Sequence, residues 1–140
     1  MNAVAVIALT AALLAGMVKA GWGRIVNVSS GIVAHLGDMI GGTAYAATKA
    51  TFEAHNQPRR RARWHRVTAN AHRPGGVDTA MQAWIREQDP DRIGTGPHDQ
   101  FTRTYTSGAL LTPQHSAASP IARISTDATG QIWDVADDLS

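Results

Sequence analysis

The chain has no cysteine among its 140 residues, which excludes a disulfide framework and any thiolate metal site. Its six histidines, at 35, 55, 65, 72, 98 and 115, show no His-x-x-x-His pairing, so no zinc centre is expected. Charged residues are sparse, 17% against 44% hydrophobic, the balance of a globular chain rather than a disordered one. No Lys or Arg precedes Lys19, so the apolar opening lacks the positive n-region of a signal peptide. That run is also short for a membrane span, which takes about 20 apolar residues. Residues 3–20 therefore read as a helix, apolar nearly all round and covered on several sides.

The formal charge is +2 and the pI about 9.5. Arg59, Arg60, Arg61, Arg63 and Arg66 supply five of the thirteen basic residues, and the other eight face eleven acids. The basicity is one short segment rather than a domain face, so a nucleic-acid partner is not expected. A chain of this length forms a single domain, here residues 1–140, large enough to bury a core.

The punctuation of the chain suggests an alternation of helices and strands. Gly21-Trp-Gly23 ends the first helix, and Arg24-Ile-Val-Asn-Val28 reads as a buried parallel strand feeding a site at its carboxyl end. Residues 31–42 read as a Gly-containing loop before a helix from Thr43. That helix should run well past His55, but Pro58 is costly inside a helix and Arg-rich text follows it. A natural basic loop and a pair of reading-frame slips both account for that segment. Val67–Ala71 reads as a second strand, weakened by Ala69 and His72. Thr79 is placed to cap a helix through about Glu87, followed by a Gly/Pro break over 89–97 and a helix over 98–110. Thr112-Pro113 reads as an N-cap with Pro at the first helical position, opening a helix to about Ile124. Residues 129–135 close the chain as a strand. Strands separated by helices imply parallel βαβ units, an α/β fold.

Chemistry concentrates at Tyr45 and Lys49. Residues four apart share a helix face, and a nearby ammonium favours a phenolate. Tyr45 is therefore a candidate proton donor and acceptor. Ser30, fifteen residues before it, offers a hydroxyl to the same substrate oxygen.

Gly23-Arg-Ile-Val-Asn-Val-Ser-Ser30, Ala44-Tyr-Ala-Ala-Thr-Lys49 and Arg73-Pro-Gly-Gly-Val-Asp-Thr79, in this order, resemble the short-chain dehydrogenase/reductase family. The resemblance runs from about residue 2 to about residue 135. It implies a partial doubly wound, Rossmann-like sheet of about three strands, the C-terminal part of such a domain. It also implies an alcohol–carbonyl oxidoreductase using NAD or NADP, cytoplasmic, homo-oligomeric and acting on a small molecule away from membranes. By the resemblance, Tyr45 is the general acid/base, Lys49 assists it and holds the nicotinamide ribose, and Ser30 positions the substrate oxygen. Asn2, 28 residues before Ser30, takes the family's fourth, proton-relay position or is a frayed terminus. Pro74, Gly75, Val77 and Thr79 match the segment that contacts the nicotinamide carboxamide and phosphates, although a plain turn with Thr79 as cap explains the same text. Trp133 is expected in the core or an interface.

One departure matters. No Gly-rich turn follows an N-terminal strand, the element that seats a pyrophosphate on a helix N-terminus. The residues that would choose between NAD and NADP are missing too. The chain by itself is therefore expected to bind NAD(P)H weakly or not at all. A catalytically inactive remnant that associates through an open strand edge is the alternative reading.

Overall fold

The computed structural model describes residues 2–34, 43–56 and 66–138, with the side chain of Asn2 outside that description. Three strands, β1 (Gly23–Val28), β2 (Val67–Arg73) and β3 (Ile132–Asp134), form one parallel sheet in the order β1-β2-β3. Helices α1 (Asn2–Ala20), α2 (Thr43–Asn56), α3 (Ala80–Arg86), α4 (Pro90–Ile93), α5 (Thr95–Thr106) and α6 (Pro113–Arg123) flank it. Parallel neighbours need crossovers, and helices supply them here, α2 between β1 and β2, α3 to α6 between β2 and β3. The α/β expectation holds.

Local chemistry accounts for the boundaries. α1 stops at Gly21, whose φ is +68°. Gly21 N donates to Val18 O at 3.1 Å and Trp22 N to Met17 O at 3.1 Å, the paired bonds of a Schellman terminus. α6 opens as its sequence suggests, with the Thr112 hydroxyl accepting from His115 N at 3.1 Å and Pro113 in the first turn.

Several expectations need correction. α1 is not covered on several sides: Val4, Leu9, Leu13 and Val18 are 74%, 61%, 50% and 45% exposed. Among the described residues its main packing partners are α2 and β1, so its inner face is the sheltered one. The helix also passes as long enough to span a membrane, with a mean hydropathy of 2.1 over Ala3–Ala20. The break over 89–97 is instead helical, because Asp89 caps Asp91 N at 2.9 Å and Pro90 suits a first turn. Gly31–Val33 form a 3-10 turn inside the expected loop, and the last strand is confined to Ile132–Asp134. Residues 35–42 and 57–65, with most of the arginine-rich text, lie outside the described residues.

β2 is not the weak strand its composition suggested. Ala69 and Ala71 are 2% and 0% exposed, because small side chains let neighbouring layers close over a central strand. The polar residue between them is satisfied. Asn70 donates to Ala128 O at 2.9 Å and accepts from Gln131 N at 3.0 Å, which stitches the turn before β3 to β2. Trp133 is 8% exposed and joins the core.

His72, on β2, is 4% exposed. Its Nδ1 lies 3.1 Å from the Trp133 carbonyl, so Nδ1 carries the proton of the neutral ring. Burial holds its pKa below the ordinary histidine value, with the Trp133 bond and Asp134 opposing. The unfolded chain takes up a proton below about pH 6.5 that the folded ring resists. Stability is therefore full above that pH and falls as the pH drops through it. Thermal unfolding from pH 7.5 to 5.0 should show a falling midpoint, and His72→Gln should flatten the curve. The slope removed cannot exceed about 1.4 kcal/mol per pH unit, the limit for one proton.

Candidate functional site

The site forms where the carboxyl ends of β1 and β2 lie side by side. Val28 pairs with His72, so Ser29-Ser30 and Arg73-Pro74 emerge from adjacent strands. α2 crosses above them. Tyr45, Lys49 and Glu53 lie at i, i+4 and i+8 of that helix and share a face. The Lys49 ammonium stands 5.6 Å from the centroid of the Tyr45 ring and 5.2 Å from that of Phe52. Its Nζ donates to Val28 O at 2.8 Å, which fastens the cation to the strand end two residues before Ser30. Burial lowers the Lys49 pKa from the ordinary lysine value.

The two serines have different duties. Ser29 is 1% exposed and donates from Oγ to Glu53 Oε1 at 2.7 Å. Ser30 caps the following 3-10 turn, its Oγ accepting from Ile32 N at 3.4 Å, and it is partly exposed. Asn2 opens α1, but its side chain lies outside the described residues.

Pro74, Gly75, Val77 and Thr79 form the connection from β2 to α3. Val77 bridges Leu111, Asp78 N donates to Leu111 O at 2.9 Å, and Leu111 N donates to Gly76 O at 2.8 Å. The Ser116 hydroxyl donates to Pro74 O at 2.8 Å. Thr79 stands at the N-cap of α3 but makes no side-chain capping bond, so its hydroxyl is not spent on the helix.

The model of the short chain dehydrogenase family matches residues 1–90, more than half of the chain. The chain belongs to the short chain dehydrogenase family. It is 42% identical over 86 residues to a 3-oxoacyl-[acyl-carrier-protein] reductase of Pseudomonas aeruginosa, covering 61% of this chain and 34% of that protein. It is also similar to a short chain dehydrogenase/reductase of Saccharomyces cerevisiae, with a TM-score of 0.79, 26% identity, and 96% and 54% of the two chains covered. A 3-oxoacyl (acyl-carrier-protein) reductase of Agrobacterium tumefaciens, solved with NADP bound, superposes with a TM-score of 0.72 at 27% identity, covering 95% and 51%. The chain thus spans about a third of the curated relative and about half of each solved one.

Reading motifs alone missed a buried member of this candidate site. Glu53, 8% exposed, accepts from Arg73 Nε and Nη2, each at 2.8 Å. Arg73 also lies 3.6 Å from Asp134. The Glu53 hydrogen bond raises the Arg73 pKa above its ordinary value. The eight-residue step from Tyr45 to Glu53 was the available clue, together with Arg73 directly before Pro74.

Gly75 is required where it stands. Its φ is +74°, and a Cβ there would lie 2.7 Å from Val135 Cγ1 and 3.2 Å from Leu111 Cδ1. Gly75→Ala should cost about 2–4 kcal/mol from left-handed strain and overpacking. Urea unfolding of the variant against the parent chain measures it.

Proposed function

We propose that this chain carries the proton-transfer site of an NAD(P)-dependent oxidoreductase that interconverts an alcohol and a carbonyl. The observation that carries the reading is Lys49, placed over Tyr45 and hydrogen-bonded to the strand end that leads into Ser30. The Tyr45 phenol hands its proton to the carbonyl oxygen in reduction and accepts it back in oxidation. Lys49 keeps a positive charge beside the oxygen from which the proton leaves, and fixed charge acts most strongly where water is excluded. Ser30 donates a hydrogen bond to the substrate oxygen. Its neighbour Ser29 is held by Glu53, which supports Ser30 as the serine in contact with substrate. Asn2 is proposed for the relay position on the strength of the resemblance.

A nicotinamide, when bound, supplies or takes the hydride. The residues suit its nicotinamide half: Lys49 for the ribose hydroxyls, and Pro74, Gly75, Val77 and the uncommitted Thr79 hydroxyl for the carboxamide and phosphate side. No Gly-rich turn joins a strand to a helix among the described residues, so the adenosine half has no seat there. Binding by this chain is accordingly weak, and the residues present favour neither NAD nor NADP. Within this reading the protein works in the cytoplasm, as the family resemblance implies.

Fluorescence titration of the 140-residue chain with NADPH should show no saturation in the micromolar range. Saturation-transfer NMR at millimolar NADPH should mark the nicotinamide protons and spare the adenine. Small ketones, aldehydes and a 3-oxoacyl thioester should be reduced slowly at that concentration, with Tyr45→Phe about a hundredfold slower or more. Absence of any NADPH-dependent reduction sinks the reading.

A second reading, an inactive chain that self-associates, is favoured by one observation. Among the described residues β1 pairs on one side only, and beside it runs an apolar groove of about 730 Å³ lined by Val6, Leu9, Leu13, Met17 and Val26. Open strand edges invite pairing. A second copy would bury both features, so light scattering should give a mass above the 14.9 kDa of one chain. Leu9→Glu with Leu13→Glu should return it to monomer.

A further inference from the structure

We propose that Glu53 is a positioning residue that sets the catalytic helix against both strand ends of the site, an inference that rests on the reading of Ser30, Tyr45 and Lys49 above. Its carboxylate touches none of the atoms proposed to react. Instead it joins three elements through the immediate neighbours of site residues. Oε1 accepts from Ser29 Oγ at 2.7 Å, one residue before Ser30. Oε1 and Oε2 also accept from Arg73 at 2.8 Å, one residue before Pro74 and two before Gly75. The carboxylate itself hangs from α2, one turn beyond Lys49 and two beyond Tyr45. Arg73 extends the link toward Asp134 of β3.

Stability alone is a poor reason for this arrangement. Desolvating two charges offsets much of their attraction, and well-packed apolar residues often do as well or better. A bidentate guanidinium–carboxylate pair does supply fixed geometry. Here the geometry is shared by the segments that carry the proton donor, the hydroxyl and the cofactor loop.

The lever acts on Lys49. Further along the helix Asn27 donates to Asn56; nearest the site, Ser29 Oγ bonds Glu53, with a longer contact to Lys49 O, and Lys49 Nζ bonds Val28 O. The Glu53 and Lys49 side-chain bonds engage adjacent residues of the strand and successive turns of the helix. Releasing Ser29 leaves the Lys49 bond without its neighbour at this turn of the helix, and the ammonium gains room to reach water. Burial is what lowers the Lys49 pKa, so a freed ammonium should titrate closer to an ordinary lysine.

The chain has two lysines, Lys19 and Lys49, so reductive ¹³C-methylation of the intact 140-residue protein reports Lys49 without a cofactor or a substrate. Ser29→Ala and Glu53→Gln should each raise the Lys49 titration midpoint toward the ordinary value. Ser29→Thr, which keeps the hydroxyl, should restore the parent curve. Thr112→Ala, which removes the α6 cap and costs about 1 kcal/mol, should lower the melting temperature and leave the Lys49 midpoint in place. If Glu53→Gln fails to fold, Ser29→Ala, which deletes one hydroxyl and its contacts to Glu53 and Lys49 O, decides alone. A Lys49 midpoint unmoved in the Ser29→Ala protein, or moved equally in Thr112→Ala, overturns the proposal. Because nothing here depends on turnover, that failure is separate from failure of the oxidoreductase reading, which the NADPH experiments detect.

Discussion

Everything in this molecule that resembles a site depends on the parallel pairing of β1 with β2. Six consecutive residue pairs, from Gly23 with Val67 to Val28 with His72, set the register. Ser29 N donating to His72 O at 2.7 Å extends it by one rung. Parallel strands in register bring both carboxyl ends to one edge of the sheet, where open α/β sheets bind ligands. Ser30 and Pro74, more than forty residues apart in the chain, therefore leave the sheet as neighbours. A slip of one residue would turn the side chains of β1 to the opposite face and separate Ser29 from Glu53.

The sheet is held by small and polar groups more than by large apolar ones. Ala69 and Ala71 occupy the centre of β2, and Asn70 at 1% exposure is bonded to the chain on either side of the turn before β3. Asn27 donates to Asn56 at 3.1 Å across the interface of β1 with α2. Buried amides of this kind are costly when unpaired and specific when paired. They fix which residue faces which, and apolar packing by Phe52, Trp133 and Val135 adds non-directional burial. Much apolar surface meanwhile lies outside, on α1. Exposed apolar surface and polar specificity have been placed in different parts of this chain.

That division explains what could be read from the residues and what could not. Strand β1, the start of α2, the α6 cap and the Gly21 stop were legible because each depends on neighbours within about five positions. The exposure of α1 was not. An apolar helix is expected to be covered, and its amino acids do not say whether a covering element exists. The strength of β2 was misjudged because propensity ranks Ala and His poorly, whereas a central strand rewards small side chains that fit. The Glu53–Arg73 pair was invisible for a further reason: it is a contact across twenty residues, formed only once α2 lies over β2. Tyr45 and Lys49 were legible as a pair, and the structure adds a Lys49 bond to Val28 O, two residues before Ser30.

That contact bears on how an amine can serve the fold and a ligand together. An ammonium has three donors, and Val28 O takes one of them at 2.8 Å. The rings of Tyr45 and Phe52 face the same charge at 5.6 and 5.2 Å, an attraction that fixes the position of the cation without consuming an N–H. A partly buried cation held in this way is anchored and, among the described residues, keeps two donors for other acceptors. It gains most from a ligand bearing hydroxyls or a developing negative charge, since either replaces the water that burial removed. The strand-end carbonyl thus orients Lys49 without exhausting its donors, and the same bond ties α2 to the sheet.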